Sequence, residues 1–412
     1  MEGLAASDRR DPRLLGLFAP WRLQAYGCAI ATLYAALLLH LYHDRAWLLD
    51  DGGLPHYTDF TCAYIAGLQA LHGQTAPLYD PAEFLKIQTA LAGPRVTYIT
   101  WPYPPTFFLI LAPLAMLPYL AAFLTWGVAT LLACIASVYS IVPRLPAIAL
   151  VLASPFTFWN FFAGQSGLLT ASLLGTALLF LERKPVAAGV FIGCLTYKPH
   201  FGMLLPVALA ASRQWRAVAS AALTAALLAF VSIVAFGTEV WDAFPRALIA
   251  HTNELILVDA PNPREYWGKV QTVYGLVRYL NGSAVLAWVA QGATTLILAG
   301  IVWYVWRCQA RYPLKAATLS AAALIATPYA FAYDLAAIAI PVAFLASDQM
   351  RRGLLRGEQT TLLVLFAVSL AVLFTLARVP LGPLIEIGLL SLIVRRSLAA
   401  SWRSSKVFQE FL

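Results

Sequence analysis

The residues best suited to chemistry are a few polar side chains in a chain that is otherwise strongly apolar. Ionisable side chains are costly to place at membrane depth, so they are candidates for a functional role. A carboxylate can take the proton of an acceptor hydroxyl as a general base, and a lysine can hold a phosphate as a point charge. Such a set predicts transfer of a group carried on a lipid phosphate. The candidates are Asp59, Asp80, Asn160, Gln165, Lys198, His200 and Asp334.

Each candidate also has a purely structural interpretation. Asp59 and Asp80 stand where a carboxylate caps a helix and complements its dipole. Lys198 could run along apolar surface to the membrane interface. The Lys-Pro break that it belongs to also suits an anion, because broken helices expose backbone N–H groups. Asp334 could begin a helix or pair with Lys198, and the two amides could link helices through hydrogen bonds.

Other kinds of chemistry lack support in the sequence. The chain contains no Walker loop, no Rossmann glycine pattern and no HExxH, which argues against nucleotide hydrolysis and zinc proteolysis. Neither the acidic residues nor the cysteines have the spacing of metal ligands, so we expect no metal ion and no cofactor. The cysteines are Cys28, Cys62, Cys134, Cys194 and Cys308.

The composition predicts a polytopic integral membrane protein. Of 412 residues, 60% are hydrophobic and only 12% are charged, and the mean hydropathy is +0.72. A soluble domain carries about 25% charged residues, so there is too little charge here to cover a water-facing surface. No polar linker divides the chain, which indicates one membrane domain over residues 1–412. The predicted spans are about 21–42, 104–118, 119–142, 166–181, 185–197, 199–212, 215–236, 283–306, 314–330, 335–349, 359–377 and 380–395.

The basic residues indicate how these spans are oriented. The net charge of +8 comes from short runs between apolar stretches, which is the positive-inside pattern of membrane loops and not a surface for nucleic acid. The acid-rich segment 43–103 and the long segment 237–282 are therefore predicted outside a bacterial plasma membrane, with the site on that face. The tails 1–20 and 396–412 are predicted in the cytoplasm. This parity requires residues 145–163, broken by a proline, to dip in from the outer face without crossing.

The first outer segment is predicted to contain two short amphipathic helices that lie along the outer membrane surface. Apolar residues recur at helical spacing from Asp59 to Leu71, behind an acidic N-cap candidate. Asp80 opens a second helix in DPAEFLKIQTAL, with proline in its first turn. No internal repeat is visible, which weighs against many transporter folds.

Several segments resemble those of a known family of membrane enzymes. They read DFTCAYIAGLQALHGQTAPLYDPAEF (59–84), YPPTFFLILAPLAMLPY (103–119), GQSGLLTASLLGTALLFLERKPVAAGVFIGCLTYKPHFGMLLPVALAASRQWR (164–216) and TPYAFAYDLAAIAIP (327–341). The segment EYWGKVQTVYGLVRYLN (265–281) is similar more weakly. In this order and spacing they resemble glycosyltransferase family 87, a group of mannosyltransferase-like proteins of the GT-C superfamily.

The resemblance implies both an activity and a site. Enzymes of this superfamily transfer a sugar from a polyprenyl phosphate with inversion, outside the cytoplasm, and their catalytic carboxylate follows the first span. That position matches Asp59. The family's lysine in an AGxxxGxxxxKP pattern matches Lys198. Its SPH…YD pattern matches residues 327–329 and 333–334, with Tyr329 where the family usually has histidine.

We therefore expect an all-α membrane bundle of the GT-C type. It would transfer a hexose, mannose by the resemblance, from a polyprenyl-phosphate donor to a lipid or glycan acceptor, with Asp59 as general base. A transporter or flippase for a lipid-linked sugar, and a scaffold without catalytic activity, stay open as alternatives. The expected donor-phosphate residues are Lys198 and His200, and the expected pocket residues are Asp80, Asn160, Gln165, Tyr329, Tyr333 and Asp334.

Overall fold

The chain folds into a bundle of α-helices, as predicted. The computed structural model describes residues 19–56, 58–93, 100–257, 263–375 and 378–404, and these ranges contain no strand. The predicted tail 1–20 therefore lies almost entirely outside the described residues, whereas residues 396–404 of the predicted tail 396–412 continue the last helix. The helices are α1 (Pro20–His43), α2 (Asp59–Leu71), α3 (Pro81–Ala92), α4 (Phe108–Ala115), α5 (Tyr119–Ile141), α6 (Leu145–Leu152), α7 (Pro155–Ala163), α8 (Gly167–Phe180), α9 (Pro185–Cys194), α10 (Leu205–Ala211), α11 (Trp215–Phe236), α12 (Glu239–Leu257), α13 (Pro263–Lys269), α14 (Val273–Tyr279), α15 (Ala284–Arg307), α16 (Tyr312–Ala326), α17 (Ala339–Arg352), α18 (Glu358–Phe374) and α19 (Gly382–Ser404). Short 3-10 helices cover Ala76–Tyr79, Pro105–Phe107, Leu195–Tyr197, Pro199–Gly202 and Asp334–Ile338.

Four of the described helices are long and apolar enough to cross a membrane alone, namely α1, α5, α11 and α15. A fifth crossing is available from α6 and α7, which meet at a bend of 56°. The bend lies where Pro155 begins α7, because proline cannot donate the backbone hydrogen bond that a continuous helix needs. The break predicted within 145–163 is therefore confirmed. Most of the other predicted spans correspond to shorter apolar helices. The exceptions are 335–349, which overlaps α17, and 380–395, which overlaps the 23-residue α19.

Basic residues gather at one end of the bundle, which we call the basic end. Arg144, just after α5, and Arg351, near the end of α17, line the same surface pocket. Arg311 and Arg396 both pair with Asp348, which lies one turn before Arg351. This clustering of positive charge is the feature on which the predicted orientation depends. We call the opposite end, where Asp59 lies, the site end.

Residues 104–118, predicted as a span, do not cross the bundle. They lead from the end of α1 to the start of α5, and both points lie at the site end. The Trp47 ring, just after α1, packs 5.4 Å from the ring of Phe123 in α5. The hydroxyl of Tyr119, the first residue of α5, lies 2.9 Å from Thr61 Oγ1. The segment contains the 3-10 helix Pro105–Phe107 and the eight-residue α4, together about 18 Å long, and α4 packs against α2.

Residues 145–163, predicted to dip in and return, cross the bundle as the bent pair α6–α7. The pair begins at the basic end and follows α1 toward the site end. The Tyr34 hydroxyl donates to the Ala153 carbonyl over 3.3 Å, and the Trp47 indole N–H donates to the Phe162 carbonyl over 2.9 Å. Counting charges in the loops determines only whether an odd or an even number of segments crosses between two loops, and not which segments cross. Exchanging one crossing for the other therefore leaves the remaining basic loops on their predicted side and moves Arg144 to the basic end.

Several helices that rise from the basic end are too short to span a bilayer. α8 has 14 residues and α16 has 15, so at 1.5 Å per residue they rise about 21–23 Å. The apolar core of a membrane is about 30 Å thick. The loops at the tips of these helices, 164–166 and 327–333, consequently lie within the bundle and not at its surface. These loops carry the candidate site.

A buried network of charges joins three helices at the basic end. Arg396 Nε donates to Asp348 over 2.6 Å, and its Nη1 donates to Glu358 over 2.9 Å. Arg311 Nε donates to the other oxygen of Asp348 over 2.6 Å. Arg396, Asp348 and Glu358 are all at most 2% exposed. Such a network holds only while every charge keeps its partner, because an unpaired buried charge is strongly destabilising.

Candidate active site

Asp59 occupies the first turn of α2 without serving as its cap. The cap is Thr58, whose hydroxyl accepts from the Thr61 backbone N–H over 3.4 Å, while the Thr61 hydroxyl accepts from the Thr58 N–H over 3.2 Å. This reciprocal pair is a capping box. The interpretation of Asp59 as the cap is therefore wrong. The Asp59 side chain instead lines a small recess at the site end.

Gln165 connects Asp59 to Tyr103. The Gln165 side-chain carbonyl accepts from the Tyr103 hydroxyl over 3.0 Å and from the Ser166 backbone N–H over 3.2 Å. Because both bonds occupy the oxygen, the amide N–H groups remain for Asp59, with which Gln165 forms a side-chain hydrogen bond. Gln165 therefore orients the carboxylate, as the predicted pocket position would require.

The surroundings of Asp59 make it a stronger base than an ordinary aspartate. Burial raises the pKa of Asp59 above its usual value, and the negative charge of Asp334 acts in the same direction. The hydrogen bond from Gln165 and the positive charges of Lys198 and Lys269 act the other way without cancelling the rise. A carboxylate with a raised pKa accepts a proton more readily at neutral pH.

Two glycines let the loop between α7 and α8 pass closely between its neighbours. Gly164 ends α7 with a φ of 65°, and a Cβ at this position would lie 2.4 Å from the Cβ of Phe60. A Cβ on Gly167 would lie 2.2 Å from the carbonyl oxygen of Tyr333. The start of α2 therefore packs on one side of this loop, and the segment before the 3-10 helix Asp334–Ile338 packs on the other.

Lys198 and Asp334 form a buried ion pair next to this loop. Lys198 Nζ donates to Asp334 Oδ1 over 2.6 Å, with the two side chains only 5% and 4% exposed. The second carboxylate oxygen accepts from the Phe331 backbone N–H over 3.0 Å. The ammonium also lies 5.7 Å from the centre of the Tyr103 ring, within range of a cation–π contact. The predicted pairing is thus confirmed, and Lys198 does not extend to the membrane interface.

The position of Lys198 follows from the break that it occupies. Pro199 begins a second 3-10 helix directly after it, and a residue before proline is disfavoured in the helical conformation. Lys198 accordingly has φ −133° and ψ 72°. Its backbone leaves the helical path after α9, and its side chain turns toward Asp334 inside the bundle.

Three further predicted residues lie around the ion pair. The Asn160 amide donates to the Tyr333 carbonyl over 3.3 Å. The ring of Tyr333 lies 5.7 Å from the Lys198 ammonium. Tyr329, which stands where the family usually has histidine, forms a side-chain hydrogen bond with Tyr266. The structure therefore brings together residues from segments that are far apart in the chain.

Asp80 is the predicted pocket residue that lies apart. It caps α3, where its carboxylate accepts from the backbone N–H groups of Ala82 and Glu83 over 2.9 and 3.0 Å. Its side chain is exposed, and no described contact joins it to the recess, so its capping interpretation is confirmed. His200, by contrast, lies close enough to Lys198 for the two to interact electrostatically.

Comparison with known proteins identifies the family. A sequence profile of glycosyltransferase family 87 matches residues 101–328, which is more than half of the chain. The chain belongs to glycosyltransferase family 87. The matched residues include Gln165 and Lys198, whereas Asp59 precedes them and Asp334 follows them. No curated protein and no solved structure matches the chain.

In this family 87 glycosyltransferase, the second long segment adds residues that the sequence analysis did not select. The Gln271 backbone N–H donates to the Ala330 carbonyl over 2.8 Å, and the Thr272 hydroxyl donates to the Pro328 carbonyl over 3.1 Å. These bonds hold α13 against the loop that carries Tyr329. The weaker family similarity of 265–281 was the only signal for them. The added residues are Tyr266 and Lys269.

The recess of the glycosyltransferase is narrow. Its volume is about 20 Å³, room for one water molecule. A hexose is far larger, so binding of a sugar requires the side chains around the recess to move apart. Among the described residues, no three His, Cys, Asp or Glu side chains lie together as a metal ion would need. The lining residues include Asp59, Phe60, Tyr103, Phe107, Trp126, Gln165 and Ser166.

Proposed function

We propose that this glycosyltransferase transfers a hexose, mannose by the family resemblance, from a polyprenyl phosphate to a hydroxyl of a lipid or glycan acceptor. The observation that carries the proposal is the position of Asp59. Its carboxylate is free of the helix cap and oriented by Gln165. It faces a recess beside the Lys198–Asp334 pair. A base and a phosphate-binding cation would thus lie on two sides of one sugar.

In this proposal Asp59 is the general base. The acceptor oxygen attacks the anomeric carbon of the donor while its proton passes to the Asp59 carboxylate. The bond between the anomeric carbon and the phosphate oxygen breaks, and its electron pair leaves on the phosphate. Because the acceptor attacks opposite the leaving phosphate, the anomeric configuration inverts.

Lys198 would stabilise the leaving phosphate. An ammonium group has three N–H donors, of which one goes to Asp334. The others remain for phosphate oxygens, with His200 nearby. On the sugar side, Asn160 and the tyrosines at 329 and 333 supply hydrogen-bonding groups and aromatic faces. Sugars are commonly held by such a combination of polar and aromatic contacts.

The positive charge at the basic end supports an orientation for the reaction. Loops rich in lysine and arginine are retained in the cytoplasm, which would put the site end on the outer face of a plasma membrane. Donor and acceptor lipids would then both approach from the surrounding membrane. Transfer would occur on the extracytoplasmic side.

The test is transfer by purified protein with a panel of labelled polyprenyl-phosphate sugars and total membrane lipid. We expect Asp59→Asn to fold and bind the donor but to lose at least about 10²-fold in turnover, because asparagine has the same size and no basicity. Asp80→Asn is the matched control and should retain turnover, since asparagine caps a helix as well as aspartate does.

Three outcomes would contradict the proposal. Near-normal transfer by Asp59→Asn would show that Asp59 is not the base. If the wild-type protein transfers nothing but moves a labelled lipid-linked sugar between the leaflets of a vesicle, the transporter alternative replaces the enzyme. Retention of the anomeric configuration in the product would exclude the single inverting step.

A further inference from the structure

Lys198 alone leaves the site with an excess of negative charge during transfer. Its ammonium is already balanced by Asp334 at 2.6 Å, and Asp59 adds a second carboxylate. The donor phosphodiester brings another negative charge. When the sugar leaves, the phosphate becomes a monoester with a charge of about −1.5 to −2. In a recess shielded from water such charge needs a further cation nearby.

Lys269 is held in a position to supply that cation. It ends α13 between Trp267 and Val270, which are 1% and 0% exposed, while Lys269 itself is exposed. Val270 forms a bridge with Phe331 in the loop that precedes Asp334. The backbone on both sides of Lys269 is therefore fixed against the site, and only its side chain is left to reach a ligand.

The charge of Lys269 is uncommitted within the described part of the chain. Glu265 lies one turn earlier in α13, the usual distance for an ion pair within a helix. It pairs instead with Arg378, with 3.8 Å between Oε1 and Nη2. Lys269 has no ion pair of its own among the described residues, yet its charge reaches Asp59 and lowers the pKa of that carboxyl. The Val270–Phe331 bridge and the 2.8 Å bond from the Gln271 N–H to the Ala330 carbonyl place the end of α13 beside the loop before Asp334, so an ammonium without a described ion-pair partner lies next to the site.

We propose that Lys269 binds the phosphate of the polyprenyl donor and stabilises the monoester that leaves, an inference that rests on the proposed transferase function. The bond from the anomeric carbon to the phosphate oxygen breaks with its electron pair on that oxygen. Lys269 then faces the added charge on the exposed side of the phosphate, while the buried Lys198–Asp334 pair lies on the inner side. The acceptor hydroxyl has no part in this contact.

The experiment compares Lys269→Gln and Lys269→Arg with the wild type. Losing a charge-assisted contact should raise the donor KM, and the inhibition constant of free polyprenyl phosphate, by about ten- to a hundred-fold. The acceptor KM should stay unchanged. Lys269→Arg should recover most of the loss, because it retains the charge. Lys86→Gln is the control, since Lys86 is also exposed but already pairs with Glu83 at 2.7 Å.

Direct binding separates this inference from the proposed function. Binding of polyprenyl phosphate without a sugar can be measured by native mass spectrometry, whether or not any transfer is detected. If wild type and Lys269→Gln bind it equally, Lys269 is not a phosphate ligand and the inference is wrong. If wild type binds it at least about tenfold more tightly but transfers no sugar, the phosphate site stands and the proposed function fails.

Discussion

Lys198 and Asp334 are 136 residues apart in the chain, yet Lys198 Nζ lies 2.6 Å from Asp334 Oδ1. Both side chains are almost completely excluded from solvent. The stability lost on mutating a buried pair of this kind depends on whether one partner or both are replaced. Removing one partner leaves an uncompensated charge, whereas replacing both by uncharged groups can cost little.

We therefore expect Lys198→Met and Asp334→Leu each to lower the free energy of unfolding by about 3–5 kcal/mol. The double variant should regain much of that loss. Thermal unfolding in detergent measures the stabilities, and transfer assays on the same samples measure activity. Because Lys198 is also proposed to hold the phosphate, the double variant should be stable but impaired in donor binding. A double variant that is stable and fully active would make the pair purely structural.

Transfer should fall on acidification at a pH above that of an ordinary aspartate, whose pKa is about 3.9. The proposed base, Asp59, must be deprotonated to act, and burial raises its pKa. Activity is therefore present above the raised pKa and lost below it. Lys269→Gln removes a positive charge that favours the carboxylate, so the acidic limb should move to higher pH. The measurement is kcat against pH at saturating donor. If the acidic limb of the Lys269→Gln profile coincides with that of the wild type, the prediction is wrong.

Gly167→Ala should damage the site through a backbone contact. A Cβ there would lie 2.2 Å from the Tyr333 carbonyl oxygen, and overpacking of this kind costs about 1–3 kcal/mol. The displaced loop carries Gln165, so turnover should fall as well. Gly292→Ala is the control, because no atom lies within 4 Å of its added Cβ. Unfolding and transfer assays on both variants test this, and equal behaviour of the two would refute it.

Cysteine labelling from the two sides of the membrane can test whether residues 145–163, and not residues 104–118, cross the bundle. In a background without the native cysteines, Arg144→Cys and Arg351→Cys should react with an impermeant reagent from the same side, because both residues are exposed and line one pocket. Leu54→Cys, 47% exposed at the site end, should react from the other side. If Arg144→Cys and Leu54→Cys react from the same side, residues 145–163 dip into the membrane and return as first predicted, and the crossing by α6–α7 is wrong.

Local signals in the sequence predicted local structure well. The helix from Asp59 to Leu71 begins and ends at the predicted residues, because its apolar periodicity and its polar boundary coincide. Asp80 caps α3 and Pro155 marks the bend, since both effects depend on a few neighbouring residues. Asp59 was the predicted cap and Thr58 is the actual one, because the side chain of either residue can accept backbone N–H groups in the first turn.

Long-range relations were harder to predict. Charge counting could not decide whether 104–118 or 145–163 crosses, because both solutions satisfy it. The network of Arg311, Asp348 and Arg396 joins residues that no local pattern links. No local pattern selected Lys269, and only the backbone bonds between 270–272 and 328–331 bring it to the site.

The short rise of α8 and α16 has a consequence for what can react. With their basic ends at one boundary of the apolar layer, the tips of these helices would stop about 7–9 Å short of the other boundary. In the proposed reaction, the sugar of the polyprenyl-phosphate donor would then descend from the headgroup region to meet Asp59, at a depth where little bulk water competes with the acceptor hydroxyl for the anomeric carbon. Under the proposed function, helix length would therefore favour glycoside formation over wasteful hydrolysis of the donor.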